Sequence, residues 1–308
     1  MLTRVLEELH ARGYRASAAP IGRLAELREE YEELDRKGLL DERFARETLR
    51  GLRFEPPEEL PGASSLIVVA MRDPIVSCIF RWKGLDVEVP IPPTYVHAGR
   101  KNEMVAEAVV ETLSTGEHAA LLNAPKKLLA VRSGLAYYGR NNITYVPEFG
   151  SFHRLTVLCT DLPCEADEWS PPEMLPACEG CTLCASACPT GAISDERFII
   201  RGEMCITYWN EKPGGVAFPA WLREKWHHCL VGCLHCQLAC PANASVIDYR
   251  KAGPSFTEEE TDTLLHVDAS AELSSHLREK LRSADLLDWV EAMPRNLAAS
   301  LHCSSDQD

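Results

Sequence analysis

Leu2, Val5, Leu6 and Leu9 recur at helical spacing among Arg4, Glu7 and Glu8, which predicts an amphipathic N-terminal helix and not a cleaved leader. Helical spacing continues across residues 21–52 through Leu24, Leu27, Tyr31 and Leu34, with Gly38 as the break between two helices. Pro56, Pro57, Pro61 and Gly62 then interrupt the chain before an unbroken apolar run at 65–71, the pattern of a central strand buried on both faces. Residues 87–96, with Pro90, Pro92 and Pro93, read as a loop or edge segment. Two further helices are expected at 101–113 and 124–133, the second stopped by Gly134, and another buried strand at 154–160. This alternation predicts an α/β domain over residues 1–165. A linker marked by Pro163, Pro171, Pro172 and Pro176 leads into a cysteine-rich domain at 166–247. The rest, 248–308, reads as a helical tail, with Leu264, Leu265, Leu277, Leu281, Leu286, Leu287 and Val290 supplying apolar faces.

Composition narrows the function. The chain has 308 residues, is 45% hydrophobic and carries thirteen cysteines. That suits a globular core, and no apolar run approaches the roughly 18 residues of a membrane span, so a cytoplasmic location is expected. In a reducing compartment the cysteines point to metal ligation rather than disulfides. A formal charge of −14 argues against a broad phosphate-binding surface. Lys126, Lys127 and Arg132 form a local basic group, read as a solvated helix face.

The chemistry is concentrated in two cysteine motifs. Cys178, Cys181, Cys184 and Cys188, the last followed by Pro189, have the C-x-x-C-x-x-C-x-x-x-C-P spacing in which one tight turn gives three thiolates to a cubane. Cys233, Cys236 and Cys240, followed by Pro241, repeat the end of that motif. In two-cluster ferredoxins the fourth cysteine ligates the other cluster. Crosswise matching therefore gives one cluster on Cys178, Cys181, Cys184 and Cys240, and a second on Cys188, Cys233, Cys236 and one more thiolate. A complete second motif would have cysteine at 230, where Leu230 stands, so Cys205 and the displaced Cys229 compete for that place. Two four-cysteine zinc sites are the alternative, but they require neither the third cysteine nor the Cys-Pro endings. His227, His228 and His235 are read as surface or supporting residues. Cys78, Cys159, Cys164 and Cys303 are assigned no chemistry.

Several stretches resemble the epoxyqueuosine reductases and their reductive-dehalogenase relatives. Residues 60–70, LPGASSLIVVA, resemble that family's first strand with its Pro-Gly-Ala lead. RSGLAYYGRN at 132–141 resembles its R-A-G-L-G-W-x-G-K-N segment, with Gly150-Ser151 and Thr160-Asp161-Leu162-Pro163 following in order. The cysteine motifs and Cys205-Ile206-Thr207-Tyr208 complete a likeness over roughly residues 60–245. The resemblance implies a nitroreductase-like cobalamin domain at the N-terminus, a double [4Fe–4S] domain that feeds it electrons, Cys205 as the eighth thiolate, and reductive removal of oxygen or halogen from a substrate. It implies Gly134, Gly139 and Asn141 as cofactor-binding residues.

Two departures from the family follow. Where it has an acidic residue in V-D-[ST]-x-P, this chain has Asn123, two positions before Pro125, and an amide cannot deliver a proton as a carboxylic acid does. Tyr137 and Tyr138, with Arg140 as electrostatic partner, are the replacement candidates, whereas Asp161 is read as satisfying its own turn. The family's longer C-terminal region is reduced here, which together with the net acidity argues against tRNA or any nucleic-acid partner. Expected partners are an electron donor such as ferredoxin or flavodoxin and a small-molecule or corrinoid substrate. The competing function is a non-catalytic ferredoxin-like protein that docks a redox or corrinoid partner.

Overall fold

A computed structural model describes residues 1–267 and 272–305, apart from the side chains of Thr48 and 303–305. Cys303 and part of the helical pattern at 262–301 thus lie outside the described groups. Contacts divide the chain into two discontinuous units, cutting across the sequence boundaries at 165 and 247. The first comprises Met1–Asp73, Gly99–Thr182 and Ile193–Arg201, and the second Pro74–Ala98, Leu183–Ala192 and Gly202–Asp308.

The first unit is built on a four-stranded antiparallel sheet in the order Arg15–Pro20, Ser65–Arg72, His153–Thr160, Ala119–Leu121. Leu66, Val68 and Ala70 face one core with Leu24, Leu27, Leu128 and Leu129 from helices Arg23–Arg36 and Lys126–Arg132. Ile67 and Val69 face the other, with Leu2, Val5 and Leu9 from helix Leu2–Ala11 and Val105 and Val109 from helix Ala98–Val110. Helices on both faces explain why the central strand reads as an unbroken apolar run. Each fully buried aliphatic side chain contributes roughly 1.5–3 kcal/mol, so an aspartate at Val68 would break this layer.

The second unit has a three-stranded sheet, Leu85–Ile91, Ile75–Trp82, Arg250–Phe256. The first two form a hairpin closed by Lys83 and Gly84, both at positive φ, as a two-residue turn between twisted strands requires. Pro90 is tolerated because its strand lies at the sheet edge. Arg250–Phe256 pairs parallel to Ile75–Trp82 with an irregularity beside Ser77, so the start of the expected helical tail is instead a strand. Helix Glu258–His266 follows, started by a capping box between Thr257 and Glu260. Helices Ser275–Ser283 and Met293–Ser305 add Leu277, Leu281, Leu297 and Leu301 to the core around Phe80 and Phe256. Among the described residues no helix is long and apolar enough to cross a membrane.

Candidate metal centre

Both cysteine motifs fold by the same local device. Gly180 and Gly232 take positive φ and turn the chain, short helices Leu183–Ala187 and His235–Leu238 follow, and each motif ends in Cys-Pro. The two helices pack together in the second unit. Gly232 has no substitute at its position. Besides its φ of 72°, an added Cβ would lie 2.7 Å from the Tyr95 ring and 2.9 Å from Pro92.

The thiols of the second unit converge. Burial pushes the Cys236 thiol well up, and the charges of Cys233, Cys205, Cys188 and Cys184 add to the shift. Cys233 is raised by burial and then by Cys205, Cys229 and Cys188, and Cys205 by burial and, among its neighbours, Cys188. Cys188, Cys205, Cys233 and Cys236 thus influence one another, with Cys184 also reaching Cys236, and none is in a disulfide. Thiolates gathered in a desolvated space repel, and iron reverses that sign by holding each coordinated sulfur deprotonated. The residues present therefore fit an iron–sulfur cluster. Cys229 is buried at 1% exposure and adds to the upward shift of Cys233. Cys178 and Cys181 belong to the first unit, where Cys178 ends a short 3₁₀ turn, Pro176–Cys178, and bonds back to Leu175 at 2.8 Å.

A polar frame, absent from the sequence reading, fixes the second motif. Asn210, fully buried, donates to the Gly232 carbonyl at 2.6 Å and accepts the Gly232 N–H at 2.9 Å. Asn296 donates to the carbonyls of Asn210 and Leu230 at 2.7 and 3.0 Å, and Arg295 donates to the carbonyls of Pro213, Val216, Asn210 and Lys212. The available signal was polar Asn296 and Ser300 set four apart beside the apolar Leu297 and Leu301 of one helix. His228, Cys233 and His235 place one ligand atom each within 4.8 Å of one another. The histidines also wire the loop. The Leu234 N–H donates to His228 Nε2 at 3.2 Å, and His235 Nε2 donates to the Trp226 carbonyl at 2.9 Å.

In the first unit the Gly134–Asn142 segment is internally satisfied. Tyr137–Tyr138 pairs with Thr144–Tyr145 as a small hairpin, and the Gly139 N–H donates to the Ile143 carbonyl at 2.7 Å. A Cβ on Gly139 would meet the Tyr145 ring at 2.4 Å. Asn141 is 3% exposed. Its amide donates to the Tyr145 hydroxyl at 3.1 Å and its oxygen accepts the Ile143 N–H at 3.2 Å. Tyr138 packs edge-on to Phe198 in the core, where burial, then Tyr31 and Glu30, push its pKa upward, against use as a proton donor. Tyr137 stays half-buried. Asn123 is exposed and donates to the Gly51 carbonyl at 2.8 Å. Asp161 accepts the His118 backbone N–H at 2.9 Å, with its other oxygen 2.8 Å from the ring. Glu30 is a carboxyl the sequence did not single out: burial raises its pKa although Arg132 lies 2.8 Å away.

Comparison with known proteins gives three findings. Residues 177–243 match the family model described as a 4Fe-4S double cluster binding domain. Epoxyqueuosine reductase of Staphylococcus aureus is 27% identical over 205 residues, 63% of this chain and 52% of that protein, and the Escherichia coli K12 enzyme is 35% identical over 127 residues, 41% and 31%. The chain thus spans about half or less of these curated relatives. Among solved structures, epoxyqueuosine reductase from Streptococcus thermophilus superposes with a TM-score of 0.68 at 15% identity, covering 100% of this chain and 82% of that one. An epoxyqueuosine reductase solved with an epoxyqueuosine-modified tRNA-Tyr stem loop gives 0.66 at 19%, covering 99% and 82%. That likeness overturns the expectation against a nucleic-acid partner. A net charge of −14 is a sum over every surface and does not decide what one face binds. The chain is thus similar to epoxyqueuosine reductases, shares their fold and contains a match to a double 4Fe-4S cluster domain.

Proposed function

We propose that this protein is an iron–sulfur reductase in which two [4Fe–4S] clusters deliver single electrons to an epoxide-bearing substrate carried on tRNA. The observation that carries the reading is the convergence of Cys188, Cys205, Cys233 and Cys236. With motif spacing, it supports those four as one ligand set and Cys178, Cys181, Cys184 and Cys240 as the other. Removing an epoxide oxygen as water takes two electrons and two protons, so two one-electron centres match one turnover.

Cobalamin and the nitroreductase-like description of its domain rest on the family resemblance. Gly139, packed against Tyr145, and Asn141, whose polar ends are both used by its own turn, offer no free group to a corrin. Asn123, whose amide is committed to Gly51, favours the second reading, an electron-transfer protein without its own substrate chemistry.

The test is anaerobic reconstitution with iron and sulfide, chemical reduction, and incubation with an epoxyqueuosine-modified stem loop, with and without added cob(II)alamin. Conversion to queuosine supports the reductase. Loaded, reducible clusters with an unchanged stem loop in both arms would establish the electron-transfer reading instead.

A further inference from the structure

We infer that Arg140 sets the reduction potential of the cluster held through Cys178, and is not the partner of a tyrosine proton donor. The inference rests on the proposed role of Cys178 as a cluster ligand. Arg140 meets that residue twice. Its backbone N–H donates to Cys178 Sγ at 3.5 Å, and its guanidinium donates to the Cys178 carbonyl at 3.3 Å.

The approach is built by register. The Tyr138 N–H donates to the Glu173 carbonyl at 2.9 Å, and the Leu175 N–H donates to the Tyr138 carbonyl at 2.8 Å. Two residues on from Tyr138, the turn that follows this strand brings the Arg140 N–H to the sulfur three residues past Leu175. Gly139, packed on Tyr145, and Asn141, bonded at both ends, keep the turn rigid at that point. The guanidinium is 22% exposed, and its buried Nε has no hydrogen-bond partner among the described residues. Its ion partner Asp195, at 3.3 Å, is 62% exposed, so water screens the carboxylate more than the guanidinium.

Reduction adds one negative charge to a cubane. An N–H bond to a ligand sulfur and a nearby fixed cation both favour the more negative state and raise its potential. Tyr137 and Tyr138 form the strand that leads into the turn carrying Arg140, which gives the segment a structural reason.

The experiment is anaerobic redox titration of the reconstituted full chain, followed by electron paramagnetic resonance, for the wild type, Arg140→Gln, Arg140→Lys and Asp195→Asn. In Arg140→Gln the reduced-to-oxidised ratio of one cluster should fall about tenfold at fixed poise, equivalent to about 59 mV for a one-electron couple. The second cluster should not move. Arg140→Lys should restore most of the shift, and Asp195→Asn should move the same cluster the opposite way. If Arg140→Gln loses one cluster and Arg140→Lys regains it, the charge at this position is still supported; loss in both variants would overturn it. Unchanged potentials in an iron-replete Arg140→Gln would also overturn it. A wild type that binds no iron would instead remove the cluster reading beneath it.

Discussion

Asn296→Ala removes the side chain that ties the last helix to the loop carrying the second motif. The residue is 1% exposed and its amide holds two backbone carbonyls. After truncation the Leu230 carbonyl loses its 3.0 Å bond, while the Asn210 carbonyl retains a longer 3.3 Å bond from Arg295. A buried unsatisfied carbonyl costs about 1–3 kcal/mol and a lost second bond about 1, so the variant should be destabilised by roughly 2–4 kcal/mol. At about 2–4 °C per kcal/mol for a unit of this size, the unfolding midpoint should fall by roughly 5–15 °C. Asn210 also clamps Gly232, the neighbour of Cys233, so the cluster should bleach faster in air. Anaerobic calorimetry of the reconstituted protein and the decay of its visible absorbance measure the two effects. Asn296→Asp is the sharper comparison, because it keeps the shape and replaces the donor with an acceptor facing two carbonyls. A midpoint within about 1 °C of wild type in both variants would refute the reasoning.

His153 should give a specific pH dependence. It is buried, its Nε2 lies 3.0 Å from the Thr144 hydroxyl, and its Nδ1–H donates to the Gly150 carbonyl. Burial first, against the Gly150 bond, lowers its pKa from 6.5 to about 4. Because the folded-state value is depressed, its stabilising contribution is complete above pH 6.5 and disappears as pH falls through 4, a change of roughly 3 kcal/mol. His153→Gln should flatten that part of the stability–pH curve, and an identical slope in both proteins would count against the assignment. Gly232→Ala, forced against Tyr95 at positive φ, should lose the cluster served by Cys233. Gly215→Ala, which meets nothing within 4 Å, should retain both clusters. Equal iron in the two variants would show that the close packing at Gly232 does not matter.

What the sequence revealed depended on how local each cause was. The cysteine motifs were legible because ligand spacing is fixed within a single turn, and the strand at 65–71 because burial on both faces leaves nothing polar. Arg15–Pro20 was missed: RASAAP is a half-buried edge strand of small residues with no clear period. Arg250–Phe256 was missed because Gly253 and Pro254 erase the strand signal, and its place is set by pairing with residues more than 160 positions earlier. The same long-range pairing draws Pro74–Ala98 into the second unit and not into the α/β unit that precedes it in the chain. At the site, residue type made Tyr138 a candidate donor, and the family resemblance made Asn141 a cofactor ligand. Burial raises the pKa of the first, and the second hydrogen-bonds within its own turn. The frame of Asn210, Arg295 and Asn296 needed three dimensions, since its members act on carbonyls that no pattern marks.

The central claim is that two cubanes sit on the two crosswise cysteine sets, with Cys205 as a ligand and Cys229 outside them. Iron and acid-labile sulfide counts on the anaerobically reconstituted wild type, Cys205→Ser and Cys229→Ser test it most directly. Two cubanes hold eight irons and eight sulfides. The account predicts that content in the wild type and in Cys229→Ser, with one cluster lost or spectroscopically altered in Cys205→Ser. A colourless wild type holding zinc, or loss of a cluster in Cys229→Ser while Cys205→Ser stays complete, would contradict it.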